Sequence, residues 1–150
     1  MEAVANHTLA IAEVIRLAVA PVFLLSGVGI VLTVLTNRLA RVVDRARNLE
    51  ARAVSAGEQE LQEFHEALMV LKRRARLLNI GISLLTLCAL LVAFVIIALF
   101  LAQFYEIDLS RYVSWLFVLA MLSFVGSLLT FLREVFLATQ ALRIGLKRRR

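Results

Sequence analysis

Leu35-Thr36-Asn37-Arg38-Leu39-Ala40-Arg41-Val42-Val43-Asp44-Arg45-Ala46-Arg47-Asn48-Leu49 opens a charged stretch that continues to Leu78 between two long apolar runs. Apolar residues fall at Leu35, Leu39, Val42, Ala46, Leu49 and Ala53, a spacing that alternates four and three and keeps them in one stripe along a helix. Leu61, Phe64, Leu68, Leu71, Ala75 and Leu78 repeat the pattern. Antiparallel order pairs Ala53 with Leu61, Leu49 with Phe64, Ala46 with Leu68, Val42 with Leu71, Leu39 with Ala75 and Leu35 with Leu78. One fold point near Gly57 brings all six pairs into register, which predicts a coiled-coil hairpin over 36–79 with its turn near 55–57. Either Gly57 ends the first arm in the left-handed conformation, or Ser55 and Glu58 start the second as a capping box.

Working outward, the runs on either side belong in a bilayer. The chain is 61% hydrophobic with a mean hydropathy of +0.87, too apolar for a soluble domain. Uncharged runs predict transmembrane helices over 17–35, 80–104 and 112–132, each close to the ~20 residues a spanning helix needs. Residues 1–16 read as an interfacial lead-in with Thr8 as a helix cap, too poor in basic residues at its start for a cleavable signal. Pro21 is expected to bend the first span. With no Gly or Pro between Gly29 and Gly57, that span is expected to continue as one helix into the first arm. Phe104, Tyr105, Tyr112 and Trp115 flank the short 105–111 loop as an interfacial aromatic belt, and 133–150 form a basic tail. The expected class is therefore an all-α, three-span integral membrane protein.

Basic residues set the expected topology. Arg38, Arg41, Arg45, Arg47, Arg52, Lys72, Arg73, Arg74 and Arg76 lie between the first two spans and six more in the tail, against Arg16 alone in the lead-in and Arg111 alone in the short loop. The hairpin and C-terminus are thus expected inside and the N-terminus outside. The formal charge of +6 is assigned to anionic headgroups as partner, and nucleic acid is not expected. One Cys and two His cannot make a zinc site or a disulfide framework, and candidate nucleophiles and bases are scattered, so no enzyme and no cofactor is expected. His65, Cys88 and Asp44 read as structural, the last as an ion pair with Arg41 or Arg47. Gly27 and Gly29 lie inside a span, where a phosphate-cradling loop has no place.

Pro21 to Gly27 (PVFLLSG), Leu35 to Arg45, Arg73 to Asn79 (RRARLLN) and Phe131 to Val135 (FLREV) together resemble a bacterial family of small three-span membrane proteins catalogued as a domain of unknown function. The likeness runs from about Ala10 to Leu142 and implies a bacterial inner-membrane location, with no activity to carry over.

Small-residue faces on the first and third spans predict a homo-oligomer, one face serving the chain and the other a neighbour. Two functions fit. The protein is a scaffold or adaptor whose hairpin and tail bind a cytoplasmic partner or anionic lipid, or it is an ion-conducting pore. In the pore, Ser26, Gly29, Thr33 and Thr36 line the path and Glu13 and Arg16 stand at its outer mouth. The absence of Asp, Glu, Lys, Arg and His from the spans favours the scaffold. Asn37, Arg38, Arg41, Arg76, Asn79, Arg133 and Glu134 are expected to meet where the spans leave the bilayer, with Glu134 paired to Arg41 or Arg76.

Overall fold

The computed structural model describes the backbone of residues 2–53, 58–105 and 108–147. Side chains are described for 12–53 except 14, for 62, and for 64–105 and 108–138. The expected turn near 55–57, with Ser55 and Gly57, and the side chains of Leu61 and the distal tail lie outside these. The described elements are three helices: α1 (Glu2–Ala53), α2 (Glu58–Tyr105) and α3 (Ser110–Lys147). Each contains a stretch long and apolar enough to cross a membrane, within Ile15–Ala53, Phe64–Tyr105 and Ser110–Ala138.

Helix α1 corrects the reading of the N-terminus. It starts at Glu2, so Thr8 is inside the helix and not its cap. No Gly or Pro stands before Pro21, and the lead-in is rich in good helix formers, so nothing local stops the helix. Nor does Pro21 end it: α1 is assigned as one helix through that residue and into the first arm. Helix α3 runs on past the third apolar run as far as Lys147.

Helix α3 begins with a local device. The Ser110 backbone N–H donates to Asp108 Oδ1 at 3.0 Å, and the Val113 N–H reaches the Leu109 carbonyl at 3.0 Å. The aspartate side chain thereby satisfies one of the amides that the first turn leaves without a helical partner.

Two compact units divide the chain, Met1–Val31 with Leu84–Val125 and Leu32–Ser83 with Gly126–Arg150. In the first, Ala18, Val28, Leu85, Cys88, Val92, Val95 and Ala120 form the core. Cys88 is fully buried there as a small apolar group. Phe23, Ile30, Phe94, Ile97 and Leu122 are exposed, a distribution suited to a hydrocarbon surround.

In the second unit the core is Leu35, Val42, Leu71 and Leu78 with Ser127 and Glu134. Here α1 and α2 lie side by side. Val42 and Ala46 share a cleft with Leu71 and Ala75. Leu49 and Arg52 share another with Ala67 and Val70, so residue numbers fall along α2 as they rise along α1. Helix α3 comes close to α2 at Gly81. The Ser127 hydroxyl donates to the Gly81 carbonyl at 2.8 Å, and a Cβ at Gly81 would stand 2.9 Å from Thr130 Oγ1. Only a residue without a side chain allows that approach.

Candidate functional site

The second unit gathers charge at one place. Arg38 lies three residues after Leu35 and four before Val42, so helical geometry aims it along the buried stripe of α1. Arg74 stands in the same relation to Leu71 and Leu78 on α2. On α3, Glu134 follows the buried Ser127 by two turns and faces the same way. Three inward stripes thus each carry one ionisable residue, and the three meet.

Glu134 has no solvent-exposed surface. Its Oε2 accepts from Arg38 Nη1 at 2.9 Å. Its Oε1 accepts from Arg74 Nη2 at 2.6 Å and Nε at 3.1 Å. The Arg38 guanidinium also lies over the Phe131 ring, 5.0 Å from its centroid, which holds it from a second side. Among the described residues no buried side-chain nitrogen or oxygen lacks a partner. Neither arginine is fully enclosed: the side chain of Arg38 is 35% exposed and that of Arg74 17%.

They open onto a cleft of about 550 Å³, lined also by Arg41, Arg45, Asn48, Asp44, Val42 and Ala138. Four arginines and two carboxylates share its wall, and one of those carboxylates is already matched by two of the arginines.

The expected junction is only partly brought together. Arg38 and Glu134 meet, and Arg41 lines the same cleft, whereas Asn37, Arg76, Asn79 and Arg133 are exposed. The expected partner of Glu134, Arg41 or Arg76, is corrected to Arg38 and Arg74. The expected stripe runs through Leu39 and Ala75, yet both are only half-buried, and the inward positions beside them belong to the arginines one residue earlier. Arg74 is absent from the expected junction because the three-and-four spacing of α2 admits Ala75 at the inward position as readily as Arg74. Asp44 is exposed and, among the described residues, makes no ion pair with Arg41 or Arg47.

Elsewhere, Glu13 and Arg16 approach to 4.0 Å as an exposed pair. Ser26, Gly29, Thr33 and Thr36 all face outward from the single chain. The Ser26 hydroxyl donates to the Val22 carbonyl at 3.3 Å, and that of Thr36 to the carbonyls of Leu32 at 2.9 Å and Thr33 at 3.0 Å. A Cβ added at Gly29 would meet nothing within 4 Å. Among the described residues no cluster of His, Cys, Asp or Glu is arranged to hold a metal ion.

No curated protein and no solved structure matches this sequence. A family model described as "Protein of unknown function (DUF2721)" matches residues 18–144, nearly the whole chain and all three apolar helices, and the protein is a member of that family.

Proposed function

We propose that the protein is a non-enzymatic, homo-oligomeric scaffold of the bacterial inner membrane, which presents a cytoplasmic helical hairpin and a basic C-terminal helix to anionic lipid or a cytoplasmic partner. The observation that carries this reading is the Glu134 clamp. Both carboxylate oxygens are held by arginines from two other helices, which favours a fixed platform over a moving part. Helix length supports the projecting arms. At 1.5 Å per residue the 52 residues of α1 extend about 78 Å, against roughly 30 Å of hydrocarbon, so much of the helix must stand outside the bilayer. The antiparallel order of the clefts between α1 and α2 supports a hairpin closed within one chain. The weight of Lys and Arg supports placing the hairpin inside and the N-terminus outside.

The oligomer is supported by an asymmetry between the small-residue faces. That of α3 is spent on α2 through Ser127 and Gly81, while that of α1 around Gly29 is open and can take a second copy. A pore lined by the α1 face is the weaker reading, because the hydroxyls of Ser26 and Thr36 are already turned back onto their own helix. Crosslinking in native membranes tests the scaffold: a ladder above the monomer is expected, and a strictly monomeric pattern would refute it. Planar-bilayer recording of purified protein separates the two readings, since selective currents lost on bulky substitution of Thr33 would establish the pore.

A further inference from the structure

We infer that the cleft beside Glu134 is a binding site for a phosphate group, the chemistry shared by a phospholipid headgroup and free phosphate. The inference deepens the scaffold reading, and rests on it, by naming where and through which atoms an anion is held.

Donor geometry is the first ground. A guanidinium carries five N–H donors in a rigid fork. Glu134 takes one nitrogen of Arg38 and two of Arg74, so each keeps further N–H groups, and the partial exposure of both side chains leaves those groups access to the cleft. The two forks are also positioned in advance, by the carboxylate and, for Arg38, by the Phe131 ring. A ligand arriving there has no loose side chain to order, which is the main cost of binding through long basic residues.

Charge is the second. Arg41 and Arg45 reach the same cleft from successive turns of α1 and make no ion pair among the described residues. Against four guanidiniums stand Glu134, already clamped, and the exposed Asp44, so the cleft retains positive charge. The Asn48 amide adds one more donor group. Forks that come from different helices suit a tetrahedral anion with several oxygens, whereas a carboxylate is satisfied by a single fork. At about 550 Å³ the cleft lies within the roughly 300–1,000 Å³ of ordinary small-molecule sites.

Within this site Glu134 is a positioning residue. Removing its negative charge should strengthen anion binding if the cleft were only a pool of positive potential, and should weaken it if the carboxylate holds the forks in place.

The test uses the full chain. Inorganic phosphate is titrated calorimetrically into protein in maltoside micelles, which carry no phosphate. In parallel, phospholipid retained from mixed phosphatidylglycerol and phosphatidylcholine nanodiscs is counted by native mass spectrometry. Saturable phosphate uptake that falls at least tenfold in R41Q/R45Q supports the site with free phosphate as the source. Retained phospholipid that falls at least tenfold in the same variant, without phosphate uptake, supports it with lipid as the source. Binding unchanged in R41Q/R45Q, no binding in either arm, or succinate competing as well as phosphate overturns the inference. Both substituted residues are exposed, so the variant is expected to fold, and an unchanged melting temperature checks this. E134Q, also checked for folding, should bind at least threefold more weakly; tighter binding overturns the positioning role. Crosslinking is read on the same samples. An oligomer that binds no phosphate overturns this inference alone, whereas a monomer that binds it supports the site and overturns the scaffold.

Discussion

Replacing Arg74 by Met and Glu134 by Leu, singly and together, tests whether the buried carboxylate is the centre of the second unit's stability. Arg74→Met removes both donors from Oε1 and leaves a fully buried carboxylate held by Arg38 alone. Breaking a buried pair from one side ordinarily costs about 3–5 kcal/mol, and the surviving Arg38 bond places this case near ~3. Glu134→Leu leaves two guanidiniums, and these differ from the acid in one respect. Their side chains are 35% and 17% exposed, so they can turn to water in the cleft, and the cost should be about 1–2 kcal/mol. The double variant has no buried orphan and should cost little more than Glu134→Leu, which makes the coupling about 2–3 kcal/mol. Reversible unfolding in mixed micelles, followed by circular dichroism over a detergent titration, measures all four states of the cycle. Single effects that add to within ~0.5 kcal/mol would show that the pair is not coupled. Glu134→Leu costing more than Arg74→Met would show that burial of the acid is not the source of the asymmetry.

Gly81→Ala should destabilise by about 1–3 kcal/mol in the same assay, because its Cβ would stand 2.9 Å from a threonine oxygen that is itself fixed by a 2.7 Å bond to the Ser127 carbonyl. Thr130→Ala in the same chain should recover most of that loss, and no recovery would place the strain elsewhere. The Ser110 side chain and backbone hold the Asp108 carboxyl below its ordinary range. A depressed pKa in the folded state means that the contribution to the α3 start is complete above the ordinary aspartate range and is lost as pH falls through the depressed value. The Ser110 amide resonance should therefore titrate below pH ~3.9, and Asp108→Asn should keep the cap while abolishing the titration; a midpoint at or above that value would contradict the bond. For the arms, Ala46→Cys with Leu68→Cys in a Cys88→Ser background should crosslink within one chain. Crosslinks only between chains would mean that each arm pairs with a neighbour's.

Composition and local periodicity were enough to determine that this chain is helical, with three stretches long and apolar enough to cross a membrane. Helix continuity from the first span into its arm was also legible, because nothing between Gly29 and Ala53 can break a helix. These properties depend on each residue and its neighbours within a few turns. The start of α1 was misjudged at Thr8 because a capping residue signals only that a helix can begin there, and the residues before it were helix formers as well. Membership of Glu134 in a charge cluster could be anticipated from one acid among several arginines, but not which arginines. Neighbouring positions on a helix differ by about 100° of rotation, and a spacing of three and four fits a stripe drawn through Leu39 as well as one drawn through Arg38. Only packing decided between them. Leu35, Val42, Leu71 and Leu78 fix the rotation of α1 and α2, and with it Arg38 and Arg74 turn inward while Arg41 and Arg76 stay exposed. The contact of Ser127 with Gly81 sets α3 so that Glu134, two turns on, lands between them. A site made by three helices depends on their relative rotation, and that is a property of the joint packing of side chains far apart in sequence, which no single helix encodes.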